Sequence, residues 1–371
     1  MKNNRTFLEK LLDGAEVKWM PLDEVANIAN NARKPVKSSL RISGNIPYYG
    51  ANNIQDYVEG YTHDGEFVLI AEDGSASLEN YSIQWAVGKF WANNHVHVVN
   101  GKEKLNNRFL YHYLTNMNFI PFLTGKERAK LTKAKLQQIP IPIPPLPVQT
   151  EIVKILDALT ALTSELTSEL TLRRKQYEYY REKLLSFDSL EQLNMGGAKK
   201  KLIDVAIIGT GSRNTNEAIE NGIYPFFVRS QEPKKINEYE FDETAIITAG
   251  DGVGVGKVFH YISGKYALHQ RAYRIVVTDK NLLPKFLFHY IRNNFAHYLK
   301  MTSVNSSVTS LRKPMFEKYP IFVPPLEEQH RIVSILDKFE TLTNSITEGL
   351  PLAIEQSQKR YEYYRELLLS F

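Results

Sequence analysis

The chain carries the same long phrase twice. Ile143 opens IPPLPVQTEIVKILDALTAL, and 180 residues later Val323 opens VPPLEEQHRIVSILDKFETL. QYEYYREKLLSF closes at Phe187 and RYEYYRELLLSF at Phe371, 184 residues apart. Solenoid repeats run to about 20–50 residues, so a period this long implies two tandem copies of one domain-plus-helix unit. The molecule is therefore expected to be pseudo-twofold. Such symmetry suits a target in two parts, and a pair of DNA half-sites is the most familiar one.

The repetition is not confined to the helices. Leu22-Asp23-Glu24-Val25-Ala26 aligns with Leu202-Ile203-Asp204-Val205-Ala206, and Ile46-Pro47-Tyr48-Tyr49 with Tyr224-Pro225-Phe226-Phe227. Val68–Gly74 aligns with Ile246–Gly252, Asn93-Asn94-His95 with His269-Gln270-Arg271, and Leu110–Leu114 with Leu287–Ile291. Framework positions match while the residues between them differ, as in one scaffold with diverged loops. Each copy opens with strand-like runs such as FVLIAEDG and TAIITAGDG, broken by Gly, Asn and Asp. A short helix is expected near Phe109–Asn116 and near Pro284–Asn294. A proline-rich strap, IPIPIPPLPVQ or YPIFVPPLEEQ, then marks a boundary, because proline continues neither a helix nor a central strand. The expected organisation is a domain over 1–146, a long helix over 147–190, a second domain over 191–326 and a second long helix over 327–371.

Both long helices show an apolar seam. Ile152, Ile155, Leu159, Leu162 and Leu166 recur at spacings of three and four, resumed by Tyr177, Tyr180 and Leu184. Ile332, Ile335, Phe339, Leu342 and Ile346, then Tyr361, Tyr364 and Leu368, do the same. The pattern predicts an antiparallel coiled coil of roughly 40 residues, about 60 Å long, with the globular parts at opposite ends. The second helix carries a break at Gly349-Leu350-Pro351. In its place the first holds a tandem tetrapeptide, Thr163–Leu166 and Thr167–Leu170, both reading TSEL. Four residues are nearly one turn, so this duplication reads as an adjustable spacer, or else as chance in a Thr-, Ser-, Glu- and Leu-rich helix.

Composition sets wide limits. With 43% hydrophobic and 23% charged residues, the chain is ordinary for a globular protein of two or three domains. Its net charge of +5 permits nucleic-acid binding without requiring it. The absence of cysteine excludes disulfides and thiolate metal sites and suits a reducing cytoplasm. MKNNRTFLEK leads into no apolar segment, so it is not read as a secretory signal, and no apolar run approaches the ~20 residues of a membrane span.

No catalytic constellation emerges. Gly250–Lys257 has glycines without the P-loop or dinucleotide spacing and is expected to form a hairpin or bulged turn. Asn45-Ile46-Pro47-Tyr48 approaches the Asn-Pro-Pro-Tyr loop of adenine methyltransferases but lacks its first proline, and is read as a strand-entry turn. No metal-ligand spacing is present around His95 and His97, so neither metal nor cofactor is expected. Recognition chemistry remains. Asn52, Asn53, Asn93, Asn94, Gln231 and Gln270 carry amides that match adenine, Arg229 and Arg271 match guanine, and Asp73 and Asp251 can accept from cytosine N4. Ser75, His95, Ser230 and His269 complete the base-reading candidates. Lys126, Arg128, Lys130, Lys133, Lys135, Arg312 and Lys313 are candidates for phosphate contacts. For any one of these, a turn asparagine or a solvated lysine is the alternative.

The order of variable domain, proline strap and long helix, stated twice, resembles the specificity subunits of type I restriction–modification enzymes. PPLPVQTEIVKILD, PPLEEQHRIVSILD and the two YEYYRE-LLSF endings carry the resemblance, with IPYYGANNI, NNHVHVV, GIYPFFVRSQ and HQRAYRI. It covers essentially the whole chain, and TSELTSEL resembles the spacer repeat of one subgroup. The resemblance implies two α/β target recognition domains, each reading half of a split, asymmetric duplex DNA site through the major groove. It implies helices that act as a ruler, no catalysis in the subunit itself, two adenine methyltransferase subunits as partners, and restriction–translocase subunits recruited through them. Two other readings remain at this point, a single-chain methyltransferase and a protein-binding coiled-coil adaptor. The missing methyl-donor loop weighs against the first, and salt-dependent binding to duplex DNA would separate the second.

Overall fold

The computed structural model describes residues 7–125, 129–192, 197–302 and 310–371. The chain forms two compact units. One runs to Leu166 and takes in Ile354–Phe371; the other is Thr167–Ala353. The division falls inside both long helical segments, so each unit holds a globular part and half of each.

The first unit has a six-stranded mixed sheet of β1 (Ala26–Ile28), β2 (Ser43–Tyr49), β3 (Ile54–Val58), β4 (His63–Ala71), β5 (Ile83–Ala92) and β6 (Val96–Gly101). Its order is β1-β6-β4-β5-β2-β3. In the second unit β7 (Ala206–Thr210), β8 (Tyr224–Phe227), β9 (Lys234–Ile236), β10 (Phe241–Ala249), β11 (Phe259–Leu268) and β12 (Ala272–Val277) take the matching order β7-β12-β10-β11-β8-β9. Pairing is antiparallel except for β2 with β5 and β8 with β11. The apolar runs VLIA and AIITA are buried because the sheet is covered on both faces at these strands. Val68 and Ile70 join the helix-side core, whereas Leu69 points into a smaller core with Phe90, Val96 and Val98. Alternate residues of a strand face opposite ways, so one short run serves two cores. Gly250–Lys257 lies in the connection between the antiparallel strands β10 and β11, as its spacing suggested. Asn45–Tyr48 lies inside β2, beside a bulge, and not before the strand.

Helix α1 (Asn107–Asn116) packs Phe109, Leu110 and Leu114 onto the first sheet. Its counterpart is Pro284–Thr302, longer than the expected span to Asn294. Each proline strap forms a two-stranded ribbon. Pro140–Ile143 pairs with Lys18–Pro21, and Pro320–Val323 with Ala198–Lys201. Such a ribbon tolerates prolines that a central strand would not.

The first long helix is continuous over Leu146–Leu185. The second is two helices, Leu326–Asn344 and Leu350–Leu369. They are separated at Gly349, whose φ is +82° and whose Cβ, if present, would lie 2.6 Å from the Thr341 carbonyl. Within each unit the paired helical segments run antiparallel. Thr163 Oγ1 meets Ser357 Oγ at 2.8 Å while Ile152 and Leu156 share a core with Leu368. In the other unit Tyr177 and Tyr180 pack on Phe339. The seam differs from expectation in two ways. Ile346 lies outside any helix and is exposed, as is Leu162. Ile152, Ile332 and Leu368 of the expected seam are fully buried, together with Leu156 and Leu336, and these belong to the domain cores. The first turns of each long helix thus pack as core elements, and the seam beyond them is thinner.

Polar joints fix the helices to the domains. Gln149 is fully buried; its Oε1 accepts from Asn106 N–H at 2.8 Å, and its Nε2 donates to the carbonyls of Lys104 and Pro144 at 2.9 and 2.8 Å. Gln329 repeats the pattern with Leu283 N–H and the carbonyls of Asn281 and Pro324. Buried His112 and His289 each meet a helix aspartate, Asp157 or Asp337, at 2.8 Å. Glu340 lies near the second pair, but it is engaged by Arg292 and Asp337 also meets Lys285, so the cluster is an ion-pair network.

Candidate nucleic-acid interface

In each unit one sheet end carries a matched pair of turns. In the first, Asn93-Asn94-His95 joins β5 to β6, and Asp73-Gly74 follows β4. Asn93 is buried, and its Oδ1 accepts from His95 N–H at 2.8 Å. Glu72 N–H donates to the His95 carbonyl at 2.8 Å, and His95 Nδ1 lies 2.5 Å from Asp73 Oδ1. In the second unit His269 is buried where Asn93 stands, and its Nδ1 accepts from Arg271 N–H at 3.0 Å. Gly250 N–H donates to the Arg271 carbonyl at 2.9 Å, and Arg271 reaches Asp251 at 3.1 Å. Gly74 and Gly252 both take left-handed backbone, φ +70° and +79°, which the absence of a Cβ permits. The scaffold is the same in the two units; the groups at its tip are not.

This geometry sorts the candidates. Asn52 spends its amide on the neighbouring loop, donating to the Gly74 carbonyl at 2.8 Å and accepting from Ala76 N–H at 2.7 Å. Asn53 accepts from Ile54 N–H, Ser75 donates to the Ser77 carbonyl, and Ser230 donates to the Glu232 carbonyl. Together with Asn93 and His269 these side chains build the turns, as short polar groups do. Asp73 meets His95 through Oδ1, and Asp251 receives one arginine on each carboxylate oxygen. Asn94, His95, Arg229, Gln231, Gln270 and Arg271 face solvent, with Gln270 Nε2 donating to Asn214 Oδ1 at 2.6 Å.

Asp251 is the most charged point of the second site. Burial alone would raise its pKa, but Arg229 at 2.7 Å and Arg271 together hold it below the usual carboxylate value. Burial lowers the His269 pKa, and nearby Arg229 adds to the effect; the imidazole that accepts from Arg271 therefore stays neutral.

Among the phosphate candidates, Lys130 is paired with Glu72 at 2.9 Å, and that contact raises its pKa. Lys133 and Lys135 are exposed on the short helix Lys133–Gln137. Arg312 is exposed, and Lys313 lies 4.0 Å from Glu317. Lys126 and Arg128 lie outside the described residues. The structure also brings forward a basic loop that the repeat had hidden. Lys34 N–H donates to the Ala92 carbonyl beside the first turn, and Arg33 reaches the carbonyls of Asn94 and Val96. Lys37, Arg41 and the exposed Leu40 and Ile42 follow. The signal was a charge run: four cations and no Asp or Glu from Ala26 to Gln55. In the second unit Arg213 begins the matching loop and is engaged by Glu217 and Glu238.

Residues 15–172 and 196–356 both match the sequence profile described as the type I restriction modification DNA specificity domain. The chain belongs to this specificity-subunit family. The EcoR124I/EcoR124II specificity subunit of Escherichia coli is 33% identical over 398 aligned positions, covering 99% of this chain and 97% of that one. A Haemophilus influenzae protein assigned as a type I restriction enzyme specificity subunit is 63% identical over the full length of both chains. The fold matches the crystal structure of the type I restriction–modification S subunit from M. genitalium with TM-score 0.60 at 15% identity, over 100% of this chain and 96% of that one. The HsdS subunit from Thermoanaerobacter tengcongensis matches with TM-score 0.52, also at 15% identity, over 96% and 95%. A specificity subunit supplies recognition of DNA sequence and not catalysis. Among the described residues, no helix is long and apolar enough to cross a membrane.

Proposed function

We propose that the chain is the DNA-reading subunit of a type I restriction–modification complex, with recognition domains at 1–146 and 191–326 and spacer segments at 147–190 and 327–371. Each domain reads one half of a split, asymmetric duplex site, and the paired helices set the unread gap. The observation that carries this reading is the matched pair of turns, Asn93–His95 and His269–Arg271. One scaffold displayed twice with different tips is what an asymmetric bipartite site requires. Lys133, Lys135, Arg312 and Lys34 would bind phosphates and supply affinity without sequence choice.

Two methyltransferase subunits would bind the chain, and restriction–translocase subunits would join through them. The test is methylation mapping with the chain and its methyltransferase partner expressed together. A motif of two short defined halves around a gap of fixed length is expected. A single continuous motif would overturn the two-reader reading.

A further inference from the structure

We infer that the second domain reads guanine through two arginines, Arg229 and Arg271, aimed by Asp251. This rests on the reading of that domain as a half-site reader and adds which bases it takes. Asp251 receives one arginine on each carboxylate oxygen, Arg229 on Oδ1 at 2.7 Å and Arg271 on Oδ2 at 3.1 Å. Each guanidinium uses only Nη1 in this contact, so among the described residues Nε and Nη2 stay available along one edge. That edge is a two-donor fork, and guanine offers two acceptors, O6 and N7, at matching separation in the major groove.

The backbone beneath the fork is tightly placed. A Cβ on Gly254 would stand 2.7 Å from the Arg229 carbonyl, and one on Gly250 would stand 2.5 Å from the Arg271 carbonyl. His269 fixes the turn from below. An open cavity of about 390 Å³ lies at this place, lined by Arg229, Asp251, Gly252, Lys234 and Thr215 among others.

The carboxylate decides between a base and a phosphate. A phosphate carries its own negative charge, and Asp251 would repel it at this distance while having already taken up part of the arginines' charge. A neutral base edge meets no such penalty, and a guanidinium held at a fixed angle gains selectivity for it. The first domain lacks this device. Ala51 aligns with Arg229, and among the described residues the Asp73 carboxylate meets His95 and no arginine. The two half-sites therefore differ in chemistry, and the arginine-read guanines belong to the second.

The experiment uses the chain in complex with its methyltransferase partner and a duplex library randomised at both half-sites. The wild-type motif is expected to contain guanine in the half-site that follows the second domain when domains are exchanged. R229Q and R271Q should each lose discrimination at one guanine by about ten- to a hundredfold. D251N should weaken discrimination at both. The other half-site, read by the first domain, should be unchanged and serves as the folding control. A second half-site without guanine overturns the inference whatever the variants do. So does an equal loss on all sequences, which would make the arginines phosphate contacts. Neither outcome touches the two-reader model, which the presence of a bipartite motif tests separately.

Discussion

At the scale of single residues, the reading turns stand on buried groups that must stay uncharged. His97 is the clearest. Its Nδ1 accepts from Asn30 Nδ2 at 2.8 Å, and its Nε2 donates to the Leu131 carbonyl at 2.7 Å. Burial lowers its pKa, and Arg33 and Lys130 add to this, while the Leu131 carbonyl and Glu72 oppose it. A lowered pKa means that the folded chain binds fewer protons than the unfolded one below the ordinary imidazole value of 6.5. The stabilisation is complete above that pH and declines as pH falls through it toward the lower folded value. His63, His112, His260 and His269 are shifted in the same direction. Thermal unfolding followed from pH 8 to about pH 5 should show the midpoint falling on the acid side, and the fall should be shallower in H97Q. A pH-independent midpoint would contradict the neutral assignment. This layer is not legible in the sequence. Residue type alone does not show that Asn52 and Asn93 spend their amides on turn backbone, because it cannot distinguish an amide that faces a base from one that closes a turn. That difference is set by backbone groups one to three residues away, and it becomes visible only when the turn is built.

Elements were more legible than residues, because periodicity and proline report directly on backbone geometry. The straps and the break near Gly349 lie where the sequence put them, whereas the first long helix ends at Leu185 and the second is two helices. The seam was less legible: Ile346 kept the helical spacing but sits beyond the end of its helix, and a count of intervals does not register that Gly349 has already turned the chain. The tandem tetrapeptide lies within the uninterrupted helix, where no residue from Asp157 to Gln176 is buried. Little packing opposes a change of length there. Deleting Thr163–Leu166 removes about 6 Å of helical rise. B-DNA rises 3.4 Å per base pair along each strand, so the largest geometric effect is near two base pairs, and bending of helix and duplex should absorb part of it. The deletion should shorten the unread gap by one, at most two, base pairs and leave both half-sites intact. Methylation mapping of the deletion variant reads this directly; an unchanged gap would reduce the tetrapeptides to ordinary helix.

On the scale of the whole molecule, both the sheet order and the glutamine joints are repeated in the two units, as separable modules would require. Exchanging residues 16–140 for the matching domain of a relative should change one half of the motif and leave the other as it was. If both halves change together, the domains are not independent readers. The joints suggest why such exchange can succeed. Gln149 and Gln329 hold their domains only through main-chain N–H and carbonyl groups, three contacts each. Every residue except proline presents the same N–H and carbonyl, so these contacts are indifferent to most side chains of the loop they grip. If the two domains read independently, recombination at the straps would leave this part of the attachment fitted and ask only that the apolar and His–Asp contacts be matched, so that a new DNA specificity would be within reach of one genetic step.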